Sequence, residues 1–211
     1  MKTNLLLTGA LLLTSMALYA QNIEEKVSNP GFESSLSDWT NNTGLSRISN
    51  GTNDYRNFGR LQRNNSTGTA MTLTTALSGV NPTEGYIKVK FDLRLYRNAA
   101  TPSFTVQLES GSSYTNYLSI SKSSTGIVAT SANNAILSYG LQSMPNDTFR
   151  TITLLIPRST AYTGNLRFSY TSGNSGNYAD LDNISVTSLN SAAVACPSCY
   201  FTHYPGCKWC N

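Results

Sequence analysis

Four cysteines stand in two Cys-x-x-Cys pairs, Cys196/Cys199 and Cys207/Cys210, with seven residues between them. Such pairs hold zinc as thiolates, close disulfides or, beside a βαβ unit, exchange thiols. Seven residues is a short spacer for a zinc ribbon, and no βαβ pattern surrounds the pairs. Two disulfides are the expectation, with zinc as the alternative, and four cysteines allow three pairings. The single histidine, His203, excludes a Ser-His-Asp triad in the body of the chain and any multi-histidine metal site. Among the eleven carboxylates, Asp92 and Glu109 are the one plausible acid/base pair, since glycoside hydrolysis needs two carboxyls about 5–9 Å apart across one cleft. The plainer reading makes them two solvated strand residues. No G-x-S-x-G elbow and no H-E-x-x-H occurs. A non-catalytic protein is expected.

Tyr86, Arg94, Tyr96, Gln107 and Tyr117 form a different constellation. Sugar rings present C–H patches to flat aromatics and ring hydroxyls to forked donors and acceptors. These five residues supply both kinds of group and are read as a ligand-binding face. The plainer reading is the ordinary polar surface of a Tyr-rich sheet. Trp39 is either a rim residue that stacks on sugar or a core tryptophan.

Strands must carry these residues. From Tyr86 to Tyr96 the chain alternates strictly: Ile87, Val89, Phe91, Leu93 and Leu95 one way, Tyr86, Lys88, Lys90, Asp92, Arg94 and Tyr96 the other. Period two marks a half-buried strand with a wet face. Shorter runs repeat the pattern at Met71/Leu73, Phe104–Leu108, Leu118/Ile120, Ile152–Ile156, Leu166–Tyr170 and Ile184/Val186. Clusters of Gly, Asn, Ser and Pro separate them. Eight or nine such strands predict an antiparallel β-sandwich. The polar gap from Asn41 to Asn57, with Tyr55, is long for a connection and reads as a loop bordering a site.

The 211 residues suit one sizeable domain with a small appendage. Charged residues are 12% of the chain, about half the usual share, which excludes a coiled coil or helical bundle. The net charge of +4 is not clustered, so no nucleic-acid partner is expected. Residues 1–20 combine a basic start, an apolar run from Leu5 to Leu18 and Ala20 at the cut, the pattern of a secretory signal peptide. No second apolar stretch is long enough to span a bilayer. The expected organisation is a leader at 1–20, a sandwich domain at 21–189 and a Cys-rich aromatic tail at 190–211. A secreted protein meets an oxidising compartment, which favours the disulfides.

Two short stretches add a resemblance. Val27-Ser28-Asn29-Pro30-Gly31-Phe32-Glu33 with Trp39 opens the body, and Asn177-Tyr178-Ala179-Asp180-Leu181-Asp182-Asn183-Ile184-Ser185-Val186 closes it. An N-x-G-F-E … W opening with a closing x-D-[DN]-[IV]-x-V strand resembles the galactose-binding-like jelly rolls, among them the carbohydrate-binding modules of families four, nine, sixteen and twenty-two. The resemblance implies a jelly roll over nearly the whole mature chain, with first and last strands adjacent. Gly31 would then permit a turn that a Cβ hinders, and Phe32 would plug the core. Glu33 and Asp182 would meet, and the family's structural calcium would sit between them as a cofactor. Asn183 stands where many members carry a second Asp.

The expected function is non-catalytic carbohydrate binding at a cell surface or in a polysaccharide matrix. The alternative is a structural or adhesive subunit of a surface layer, fibre or matrix. That subunit would use the same fold to contact other extracellular protein subunits.

Overall fold

The computed structural model describes residues 26–33, 35–41, 45–48, 57–62, 70–80, 85–137 and 148–190. The expected leader, the tail with Cys196, Cys199, Cys207 and Cys210, and Tyr55 lie outside the described residues.

Twelve strands and no helix occur among the described residues. In chain order they are β1 (Thr40–Asn41), β2 (Leu45–Ile48), β3 (Phe58–Gln62), β4 (Met71–Val80), β5 (Gly85–Tyr96) and β6 (Ser103–Ser110). Then follow β7 (Ser113–Lys122), β8 (Ile127–Ser131), β9 (Ile136–Leu137), β10 (Arg150–Arg158), β11 (Tyr162–Thr171) and β12 (Tyr178–Asn190). They form two six-stranded sheets, ordered β1-β4-β11-β6-β7-β8 (the first sheet) and β2-β3-β12-β5-β10-β9 (the second sheet). All pairings are antiparallel. The protein is the expected antiparallel jelly-roll sandwich. The gap from Asn41 to Asn57 is not one loop, because β2 lies within it.

The alternation seen in the sequence builds the core. Ile87, Val89, Phe91, Leu93 and Leu95 of β5 face Phe104, Val106 and Leu108 of β6 and Leu166, Phe168 and Tyr170 of β11, all fully buried. Phe91 of the second sheet meets Phe168 of the first edge-on at 5.2 Å and Phe104 at 5.9 Å. Such ring pairs add about 0.5–1.5 kcal/mol beyond the area they bury and help hold the sheets together.

The opening motif behaves as a plug. Phe32 is fully buried and lies so close to β3 that a Cβ on Gly59 would stand 3.0 Å from its ring. Left-handed φ angles fall on Asn29 (51°) and Phe32 (54°) rather than on Gly31. Gly31 itself lies outside the left-handed region, and a Cβ there would be hindered by the Glu33 carboxylate at 3.3 Å. What its missing Cβ provides is space beside two carboxylates. The backbone of Ile184 donates to Pro30 O at 2.9 Å, and Lys26 donates to Val186 O at 2.9 Å, so the opening segment lies along β12.

Candidate functional site

The five residues expected to share one wet face do not. Tyr86, Arg94 and Tyr96 lie on β5 in the second sheet, whereas Gln107 lies on β6 in the first. Their outward faces point to opposite sides of the sandwich. Tyr117 lies in the core at 9% exposure. The cause is a bulge: Val106 pairs with Leu118 but Gln107 pairs with Asn116, leaving Tyr117 as the extra residue of β7. Strict alternation breaks there, and Tyr117 and Leu118 are both buried. Asp92 and Glu109 are separated in the same way, on the outer faces of different sheets. Asp92 accepts hydrogen bonds from Thr151 Oγ1 at 2.5 Å and Asn183 Nδ2 at 2.9 Å. These two carboxylates do not flank one cleft.

On the second sheet the outward residues are bound to one another. Asp180 is fully buried and accepts from Arg60 Nε at 2.7 Å, Arg60 Nη2 at 3.0 Å and Arg94 Nε at 2.9 Å. Burial pushes the Asp180 carboxyl above its ordinary pKa, and the two guanidiniums oppose that shift. Both guanidiniums thus converge on one buried carboxyl. Arg60 stacks 3.7 Å over the Tyr178 ring, and Tyr96 stacks parallel to Tyr178 at 4.6 Å. Arg94 lies over Phe149 at 4.6 Å and Phe58 at 5.0 Å. At the far end of β5, Tyr86 packs against the Leu155–Leu189 cluster, as Ile136 does. On this surface Asp180, Arg60, Arg94, Tyr96 and Tyr178 are already engaged with one another.

The first sheet differs. A groove of about 500 Å³ opens along it, lined by Asp38, Trp39, Thr40, Thr74, Ala76, Tyr114 and Asn165. That volume lies within the ~300–1,000 Å³ usual for small-ligand sites. Each lining residue is placed by the sheet. Thr40 of β1 stands opposite Thr74 of β4, and Ala76 stands opposite Asn165 of β11. Asp38 has φ of 68° and its carbonyl accepts from Thr75 Oγ1 at 3.1 Å, which turns the chain into β1. Trp39 is a core tryptophan, 6% exposed. Its ring packs near Phe32 (5.5 Å) and Phe168 (6.2 Å), its Nε1 donates to Asn29 O at 3.0 Å, and it also lines the groove.

Beside the groove a polar chain crosses three strands. Arg167 Nε donates to Gln107 Oε1 at 2.6 Å, and Gln107 Nε2 donates to Asn116 Oδ1 at 2.6 Å. The Arg167 guanidinium lies 3.5 Å from the Tyr114 ring centroid. Glu109 Oε2 accepts from the backbone N–H and the Nδ2 of Asn165 at 3.0 and 2.7 Å. Tyr162 donates to the carbonyls of Glu109 and Asn165, both at 3.1 Å. Burial, first, raises the Tyr162 phenol to about 12. The groove thus has fixed walls and a lining of hydroxyls, an amide, a carboxylate and aromatic rings. Of the five residues read from the sequence, Gln107 alone stands on this face. Tyr114, Asn165 and Arg167 were missed. Tyr114 is four residues before Leu118, in a run whose alternation the bulge disrupts, and only the sheet order brings Arg167 beside it.

Glu33 and Asp182 both lie beside Gly31. Glu33 Oε1 and Asp182 Oδ1 stand 3.3 and 3.7 Å from the point where a Cβ of Gly31 would be. Glu33 Oε2 accepts from Asn57 Nδ2 at 2.6 Å, and Asp182 Oδ1 accepts from the Asn183 backbone at 2.8 Å. Arg47 donates to the carbonyls of Phe32 and Glu33. A bulge between Asp182 and Ser185, with Asn183 at φ 49°, sets this corner of β12. Among the described residues no three His, Cys, Asp or Glu side chains converge on one point.

No protein-family model matches the chain, and no curated protein does. Solved structures do. The chain is similar to the K3 adhesin domain of Lys-gingipain from Porphyromonas gingivalis W83, with 15% identity and a TM-score of 0.50, over 79% of this chain and 100% of that one. It is also similar to the first CBM22 xylan-binding domain of Paenibacillus barcinonensis Xyn10C (9% identity, TM-score 0.48, 78% and 94% covered) and to a family 16 carbohydrate-binding module (11%, 0.44, 77% and 99%). Carbohydrate-binding modules are thus among its structural neighbours, and the likeness is one of fold. Against larger proteins, such as the tailspike protein 4 of bacteriophage CBA120, the chain spans 21% of the other's length.

Proposed function

We propose that this chain is a secreted, non-catalytic carbohydrate-binding protein and that the sugar lies in the groove of the first sheet. The observation that carries the reading is the lining of that groove: Trp39 and Tyr114 beside Thr40, Thr74, Asn165 and Asp38. Aromatic rings next to hydroxyl, amide and carboxylate groups match the two chemistries of a sugar ring. The residues expected from the sequence for this task on β5 have partners that leave little for a ligand. Arg94 is committed to Asp180, and Tyr178 is stacked between Arg60 and Tyr96. The groove, with its walls fixed by sheet hydrogen bonds, needs little reorganisation to receive a ligand, which favours affinity. Calcium at Glu33 and Asp182 is proposed as a structural cofactor that secures the opening plug to β12, away from the ligand.

The test is binding of the full secreted chain to a panel of soluble polysaccharides (xylan, arabinan, β-glucan, mannan) by affinity electrophoresis, with Tyr114→Ala in parallel. Retardation of the wild type by at least one polysaccharide, lost in the variant without a change in melting temperature, supports the reading. Equal retardation of both proteins, or none across the panel, refutes it.

A further inference from the structure

We propose that two copies of this chain join through the β8 edge of the first sheet, strand to strand, forming one continuous twelve-stranded sheet. Among the described residues β8 is an edge strand, paired with β7 alone. The hydrogen-bond phase fixes which of its backbone groups are used. Lys122 donates to Pro102 O, so Lys122 faces away from β8 and its neighbours Ser121 and Ser123 face it. Ser123 donates to Gly126 O, and Ser121 stands opposite Val128. Gly126, Val128 and Thr130 therefore spend their N–H and C=O groups on β7. In an antiparallel ladder the intervening residues point the other way. Ile127, Ala129 and Ser131 thus aim three donors and three acceptors outward.

The same phase makes β8 complementary to itself. Antiparallel pairing about a two-fold axis at Ala129 sets Ile127 opposite Ser131 of the second copy, Ala129 opposite Ala129 and Ser131 opposite Ile127. Every pair joins two outward-facing residues, so each exchanges two hydrogen bonds. Shifted by one residue, outward groups would meet inward ones. On the outer face Val128, 63% exposed and the one exposed large apolar residue among those described, would stand beside Thr130 of the other copy. A β-branched pair of that kind suits a ladder.

The edge also lacks the usual protections against such pairing, which are charge, proline and shortness. Residues 123–146 include no Asp, Glu, Lys or Arg, in a chain with net charge +4, and β8 contains no proline. The other described edges differ. β1 and β9 have two residues each, and β2 carries Arg47. A neutral edge is what allows two copies of a cationic protein to approach here without like charges facing.

The test uses the full secreted chain in sedimentation equilibrium over a wide concentration range, alongside Ala129→Pro and Val128→Lys/Thr130→Lys. Proline at 129 removes an outward N–H that no described strand uses, so the fold is retained. The expected result is a monomer–dimer equilibrium in the wild type, weakened at least about tenfold in both variants, with melting of the dilute monomers unchanged. Amide exchange at Ile127, Ala129 and Ser131 should slow as concentration rises. A wild type that stays monomeric throughout overturns the proposal. So does a dimer that persists in Ala129→Pro, or one that reductant abolishes and Ala129→Pro does not. If Ala129→Pro fails to fold, the double-lysine variant decides by the same readout.

Discussion

The guanidinium of Arg167 lies flat over Tyr114, 3.5 Å from the ring centroid, while its Nε donates to Gln107. One residue of β11 therefore fixes the orientation of an aromatic on β7 and an amide on β6. Such pre-organisation removes the entropy that each side chain would lose on meeting a ligand. Arg167→Ala should weaken sugar binding about 3- to 10-fold, chiefly by freeing Tyr114 and Gln107. Arg167→Lys should recover little, since an ammonium cannot stack and donate from one plane. Calorimetric titration with the tightest polysaccharide of the panel reads both; full recovery by lysine would contradict the stacking role.

Asp180 and the two arginines around it test whether the second sheet's outer face serves stability. Asp180→Asn keeps the shape but leaves Arg60 and Arg94 facing each other without an anion. Breaking a buried pair from one side typically costs about 3–5 kcal/mol. Urea unfolding should show a loss of that order with sugar binding intact at temperatures where the variant is folded. A loss below about 1 kcal/mol would mean that the pair is more hydrated than its burial implies.

Alkaline titration probes the corner beside the groove. Tyr162 in the folded chain titrates at about 12 against an ordinary 10.0, because burial disfavours the phenolate. The folded state thus holds its proton where the unfolded state has released it. This contribution to stability is intact below pH 10 and is lost as pH rises from 10 towards 12. Tyr162→Phe should flatten the fall in stability over that window. An unchanged slope would place the Tyr162 phenol in contact with water.

Calcium should raise the melting temperature by a few degrees, since it would bind the folded state only. Excess chelator should reverse the rise, and Asp182→Ala should abolish it. An unchanged melting curve together with no metal by elemental analysis would remove the site and leave Asn57 as the partner of the Glu33 carboxylate among the described residues.

Much of the fold was legible because period two is a local signal. The run Tyr86–Tyr96 is β5 almost residue for residue. The opening and closing motifs also meet as expected, through Ile184 and Pro30. The site was not legible, for two physical reasons. Alternation tells which residues share a side of one strand, and says nothing about which sheet the next strand joins. Between β5 and β6 the chain crosses to the other sheet through Arg97–Pro102, so Gln107 parts from Arg94 and Tyr96. Nor does alternation foresee a bulge, and the bulge at Tyr117 turned an expected ligand contact into core. The groove itself gathers Trp39, Thr74, Tyr114 and Asn165 from strands far apart in the chain, with no spacing signal linking them.

The choice between the two faces is decided by one comparison: calorimetric affinity for a single bound polysaccharide in Tyr114→Ala and Tyr96→Ala. Tyr114→Ala should lose about 1–2 kcal/mol, roughly a 5- to 30-fold weakening, as truncated aromatic contacts do. Tyr96→Ala should bind as the wild type does, within about twofold, because Tyr96 stands on the other sheet, away from the groove. The reverse order, with Tyr96→Ala impaired and Tyr114→Ala unaffected, would move the binding site to the second sheet and contradict the groove.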